Sequence, residues 1–195
     1  MDIPLDYEIG LDITPNDKLE KGWANILHFT ATGNNCCAYG SRIPGLWFYP
    51  GTRRLHVVDG HGKEGEGNSN DGQWKCDTKV LTLAANKKHR VKMVFKPKTV
   101  SVWVNNKAAC TDIPREDRKV FKNVQVYVGD PWYAAAQATV GNLYIKGDTG
   151  SSGGGGDGDG DGDDGESFFC IGVDGVFAYE FAATLWMQLW SLYHN

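Results

Sequence analysis

The chain has 195 residues, of which 41% are hydrophobic, 23% charged and 12% aromatic. At roughly 100–200 residues per domain this is one domain with an appendage, and the composition excludes collagen, a coiled coil and wholesale disorder. The formal net charge of −4 hides a division: nine of the 24 acids lie from Asp148 onward, where no Lys or Arg occurs, leaving 15 acids against 20 bases and a body at net +5. That excess is too small to argue for nucleic acid, and no basic helix or aromatic nucleic-acid motif accompanies it.

Residues 7–13 alternate apolar and polar side chains, the period of a half-buried strand, and Thr14-Pro15-Asn16-Asp17 turns the chain. Residues 23–30, from Trp23 to Thr30, read as a buried strand broken by Gly33-Asn34-Asn35. A strand at 45–49 closes on Pro50-Gly51, and residues 54–59 follow as its hairpin partner. Residues 60–73 are polar and glycine-rich, a long loop of the kind that is either functional or disordered. Further strands are expected at 79–83, 90–95, 99–104, 108–110, 124–128 and 139–145. Nine or ten short strands at this spacing predict an all-β antiparallel sandwich or barrel. No amphipathic helix of ten residues precedes Gly147, which argues against a parallel α/β enzyme fold.

The composition changes at Gly147. Residues 148–166 hold Gly153 to Gly156 and the Asp-Gly alternation from Asp157, a self-repelling linker that buries nothing. Counted as a calcium loop from Asp157, it puts Phe168 where the bidentate Glu of position 12 belongs. Residues 167–195 are apolar and aromatic and long enough to cross a membrane, but Asp174 and Glu180 lie inside the run. Three readings stand for this segment: a membrane contact, an interfacial or partner-binding stretch, or translated non-coding sequence. Met1 is followed by Asp2 and Pro4 with neither a basic region nor an apolar run, so no signal peptide is read there.

The cysteines are Cys36, Cys37, Cys76, Cys110 and Cys170, without C-x-x-C or His pairs at zinc spacing. Cys76 and Cys110 form the natural intradomain disulfide, with buried thiols as the alternative. Disulfides would place the domain in an oxidising compartment, outside the cell or at its surface. His28 near Cys36 and Cys37 reads as a strand histidine beside a paired or buried cysteine rather than as half of a nucleophile–base pair.

Several stretches run in the order of a known module. They are Asp6-Tyr7-Glu8-Ile9 with Asp12-Ile13-Thr14-Pro15, then Trp23 to Gly33, then Arg42-Ile43-Pro44-Gly45-Leu46-Trp47-Phe48-Tyr49-Pro50-Gly51-Thr52 with Leu55-His56, and finally Val126 to Tyr133 with Asn142-Leu143. On these, residues 7–145 resemble a domain of the concanavalin A-like lectin/glucanase superfamily, of the laminin-G-like jelly-roll kind seen in secreted protist and algal proteins. The resemblance implies an antiparallel jelly-roll β-sandwich over residues 1–147. It also implies glycan, or a surface or matrix protein, as partner, and Ca2+ as a cofactor at Asp59 or Asp130 with backbone carbonyls. The body shows no distinctive calcium loop. Because the superfamily spans lectins, glucanases and structural modules, fold alone does not fix function.

The glucanases of that superfamily resemble one another in an E-x-D-x-x-E strand, whose alternation puts three carboxylates on one face for retaining chemistry. This chain has no such triplet: Glu8 and Asp12 have the wrong spacing, and Glu64, Glu66, Glu116 and Asp117 fall in loops and turns. No catalytic residue is therefore assigned. The chemically richest loop is Gly129-Asp130-Pro131-Trp132-Tyr133, where a carboxylate accepts from paired hydroxyls and aromatic rings cover the C–H face of a pyranose. Its alternative is structural, with Asp130 capping the turn and Trp132 plugging the sandwich. Asp130, Trp132 and Tyr133, with Arg42 and His56 beside them, are the expected ligand-binding residues. The sequence reading is a non-catalytic lectin-like or adhesion module. The rivals are a glycan-cleaving hydrolase on the same fold and a purely structural module.

Overall fold

The computed structural model describes residues 1–36, 38–59, 76–115 and 119–147, and the backbone of Phe168–Cys170. Its described residues form strands, turns and loops, with no helix among them. The strands are β1 (Tyr7–Pro15), β2 (Ala24–Thr30), β3 (Gly45–Phe48), β4 (Leu55–Val58), β5 (His89–Phe95), β6 (Thr99–Val104), β7 (Lys107–Pro114), β8 (Gln125–Tyr127), β9 (Ala134–Ala135), β10 (Ala138–Gly147) and β11 (Phe168–Cys170). They make two sheets. The larger runs β11-β10-β1-β5-β6-β7; the smaller runs β4-β3-β2-β8, with β9 pairing β2 as its one parallel neighbour. The expected all-β antiparallel sandwich is therefore the fold.

The core follows from alternation. In β5, Val91, Met93 and Phe95 are fully buried while Arg90, Lys92 and Val94 are half-buried, and β1 contributes Ile9, Leu11 and Ile13 at 0% exposure from the next strand. Against them, from the smaller sheet, come Ile26, Leu27, Phe29, Leu46, Phe48 and Leu55, in one apolar cluster. The β6–β7 hairpin turns at Asn105 and Asn106, with φ of 51° and 63°. A two-residue loop of that hand needs φ > 0 at both central positions, which Asn tolerates better than other residues with a β-carbon.

The structure departs from the strands read in the sequence at several places. Residues 79–83, expected as a strand, form a turn with a single bridge from Arg54 to Thr82. Asp77 organises it, its Oδ1 accepting from the amides of Lys79 and Val80 and its carbonyl from Leu81. Leu81 and Leu83 still go inward, at 7% and 3% exposure, so the apolar pattern reported burial and not extension. Strand β7 is longer than the expected 108–110, β9 was not foreseen, and β11 pairs with β10 in the register Tyr144–Cys170. Residues 60–75, the 148–166 stretch and residues 171–195 lie outside the described residues, and with them the calcium-loop count and the membrane reading. Among the described residues no helix is long and apolar enough to cross a membrane.

The Cys76–Cys110 disulfide is present, with Cα atoms 4.6 Å apart, inside the 4.4–6.8 Å that a bridge requires. Beside it the Asp77 amide donates to the Ala109 carbonyl at 2.7 Å, so the chain joins the outer edge of β7 through both links. Cys36 is disulfide-bonded as well.

Candidate functional site

Strand β2 is buried at all seven positions. A strand in a two-layer sandwich buries only alternate residues, so continuous burial means that its outer face is covered too. The cover is aromatic and polar. A bulge between Asn25 and Leu27 sends both Ile26 and Leu27 to the core and leaves Asn25 and His28 outside the apolar cluster, yet only 1% and 0% exposed. In β3 the alternation puts Leu46 and Phe48 inside and Trp47 on the outer face. Trp47 lies across Gly45, where a β-carbon would sit 2.1 Å from the indole; only glycine allows that approach.

The edges of Trp47 and Trp132 meet the His28 ring at 5.3 and 5.4 Å, and Tyr127 meets Trp132 at 5.5 Å. Two residues past the end of β8, Gly129, with a φ of 75°, turns the chain into the 130–133 loop. There the Asp130 side chain is fully enclosed. Its Oδ1 accepts from the amides of Trp132 (3.2 Å) and Tyr133 (2.9 Å), and its Oδ2 lies 2.8 Å from His28 Nδ1. The Asp130 amide donates to Asn25 Oδ1 at 2.9 Å. Asp130, expected to meet a ligand, is thus placed beneath the surface as the anchor of its loop. Both nitrogens of His28 are engaged, the second lying 2.6 Å from the Ser41 carbonyl.

Above this layer opens a cleft of ≈ 120 Å³ lined by Trp23, Arg42, Trp47, His56 and Tyr133. Arg42 is fixed from three sides: its Nε–H donates to the Asn35 carbonyl (2.8 Å), Nη2 donates to the Tyr133 hydroxyl (3.0 Å), and the guanidinium stands 4.8 Å over Trp47. Tyr133 meets Trp47 edge-on at 5.8 Å. On the other side His56 Nδ1 lies 3.0 Å from the Tyr49 hydroxyl, and Trp23 rests on both Tyr49 and His56 at 4.8 Å. Trp47 is 2% exposed and its indole N–H finds no hydrogen-bond acceptor among the described residues. A buried donor left this way costs roughly 1–3 kcal/mol.

Three of the expected ligand residues, Arg42, His56 and Tyr133, meet in this one cleft. Trp132 lies beside it as part of the cover over β2. Trp23 and Trp47 were missed as site residues. The available signal was that Trp47 stands out of phase with Leu46 and Phe48, a large aromatic on the face where alternation calls for a polar residue.

Neither carboxylate suggested for calcium fits it. Asp130 pairs with His28, and Asp59 Oδ2 lies 2.8 Å from Arg115 Nε with both side chains almost wholly buried. The separation is that of a hydrogen bond, but the N–H is not directed at the oxygen, so we read a charge contact. Among the described residues no three His, Cys, Asp or Glu side chains gather as a metal would need.

No family model matches the chain, and no curated protein matches it. Among solved structures, Trypanosoma rangeli sialidase aligns with a TM-score of 0.46 and 19% identity, over 72% of this chain and 20% of its own. The chain spans about one fifth of that sialidase. Sheep galectin-11, solved in complex with glycerol, aligns with a TM-score of 0.39 and 12% identity, over 74% of this chain and 92% of the galectin.

Proposed function

We propose that the chain is a non-catalytic glycan-binding module of the cell surface or extracellular matrix, and that the sugar sits in the Trp23–Arg42–Trp47–His56–Tyr133 cleft. The observation that carries this reading is the gathering of Trp23, Arg42, Trp47, His56 and Tyr133 around one open cleft. Aromatic rings cover the C–H face of a pyranose, and an immobilised guanidinium donates to its oxygens at little entropic cost. The cleft is smaller than the roughly 300–1,000 Å³ of pockets that engulf a ligand, which suits one residue of a glycan chain lying along the surface. The Cys76–Cys110 bridge supports an oxidising compartment.

What favours binding over cleavage is the chemistry of the lining: two indoles, a phenol, a guanidinium and an imidazole stack and donate. Glycoside hydrolysis generally needs a pair of carboxyl groups about 5–9.5 Å apart. The test is calorimetric titration of the full chain with β-glucan, galactan and xylan oligosaccharides, with reducing-end release measured in parallel. Binding without release, lost in Trp23→Ala and Arg42→Ala while the melting temperature holds, is the expected result. Release abolished by a single Asp or Glu substitution would establish the hydrolase instead.

A further inference from the structure

We propose that His28 is a positioning residue carrying two ring protons, and that through them it holds both walls of the cleft at once. Its consequence for binding rests on the glycan-binding reading; the proton count rests on geometry alone. Both partners of the ring are acceptors: Asp130 Oδ2 at 2.8 Å from Nδ1 and the Ser41 carbonyl at 2.6 Å from Nε2. A neutral imidazole has one N–H and one lone pair. With Asp130 ionised, it would set a nitrogen lone pair against an oxygen lone pair at one of these contacts. Two hydrogen bonds need one more proton than a neutral His and a carboxylate possess. That proton lies between Nδ1 and Oδ2 and belongs to the pair, whose net charge is then zero in a site where both side chains are 0% exposed.

The two contacts lead to opposite walls. Asp130 holds the Trp132 and Tyr133 amides through its other oxygen, and so sets Tyr133. Ser41 immediately precedes Arg42 in the chain, and the Arg42–Tyr133 hydrogen bond closes the circuit at 3.0 Å. Among the described residues the groups around the pair are these: Trp47 and Trp132 meet the ring edge to face, Asn25 meets Asp130, the Arg42 guanidinium stands over Trp47, and His56 is 6.3 Å from Trp47. With the shared proton removed, one contact loses its hydrogen and one wall loses its tether.

The experiment uses the full chain labelled with ring-15N histidine. At pH 7 we expect His28 to show both ring nitrogens protonated, with slowly exchanging N–H signals. Asp130→Asn is the informative variant. Its amide can donate to a bare Nδ1, so His28 should fall to one ring proton. His28→Gln cannot reach both acceptors, and hydrogen exchange at the Tyr133 amide should quicken by about tenfold, one hydrogen bond's worth of protection. A bare ring nitrogen in the wild type at pH 7, two ring protons persisting in Asp130→Asn, or unchanged Tyr133 exchange in His28→Gln would each overturn the proposal. If the wild type binds none of the β-glucan, galactan and xylan oligosaccharides, the glycan reading fails, while the ring protons and the exchange rate still decide this one.

Discussion

Two glycines do the same mechanical task on opposite faces of the sandwich. A β-carbon at Gly45 would meet the Trp47 ring at 2.1 Å, and one at Gly10 would meet the Tyr144 ring at 2.2 Å. Gly45→Ala and Gly10→Ala should each cost about 1–3 kcal/mol, as overpacked sites do. Only Gly45→Ala should also weaken glycan binding, because only Trp47 lines the cleft; equal binding losses in both would show a general loss of order. Tyr144 belongs to a second polar layer, on the larger sheet, where it donates to Glu8 and lies beneath Arg90. Burial, followed by the Glu8 hydrogen bond and charge, pushes its phenol above the ordinary tyrosine value. In the same layer burial pushes the Asp12 carboxyl up, but the Asn142 amide and the Arg90 guanidinium outweigh it and hold the group below the usual aspartate value. A carboxyl lowered by folding contributes stability that is complete above its unfolded value and lost as pH falls through the folded one. Asp12→Asn should therefore flatten the acid limb of the stability curve below about pH 4 and leave its alkaline limb alone, as urea titrations across pH would show.

At the scale of elements, the disulfide is the best defined link. The bridge joins cysteines separated by 34 positions, for which chain-entropy arithmetic gives about 3–4 kcal/mol. Cys76→Ala with Cys110→Ala should lower stability by that order, and non-reduced peptide maps of the wild type should recover the linked pair; finding both thiols alkylatable would refute it. Much of the strand set was legible because period-2 alternation is a local property: β1, β5 and β6 stand within a few residues of where the pattern puts them. The 79–83 segment was misread because a turn that drops Leu81 and Leu83 into the core produces the same alternation as a strand. Arg42, His56 and Tyr133 were read from their chemistry as one set, and they line one cleft. Their meeting depends on the β2–β3–β4 register and on a loop anchored from beneath by Asp130, and neither is a property of any one window of sequence. Asp130 was read as a ligand contact because a carboxylate beside two aromatics looks the same from the sequence whether it points outward or under its own loop.

Across the whole molecule, the two sheets are tied at one end by charge. Asp59, just past β4 of the smaller sheet, meets Arg115, just past β7 of the larger. The Arg115 side chain also donates to the Lys96 carbonyl at 2.8 Å and faces the Phe95 ring at 5.2 Å. Removing one member of such a buried pair typically costs about 3–5 kcal/mol, because the remaining charge loses that compensation. Arg115→Met should show a loss of that order in chemical unfolding, with much of it recovered in the double variant with Asp59→Asn; a loss below 1 kcal/mol would mean that the contact is incidental. The pair bears on something besides stability. Asp59 and Cys76 flank sixteen residues of the chain, and each foot is fastened independently, one by the guanidinium and the other by the bridge to Cys110. A reductant therefore acts on one of these feet alone: it opens the Cys76 bridge and leaves the Asp59–Arg115 contact in place.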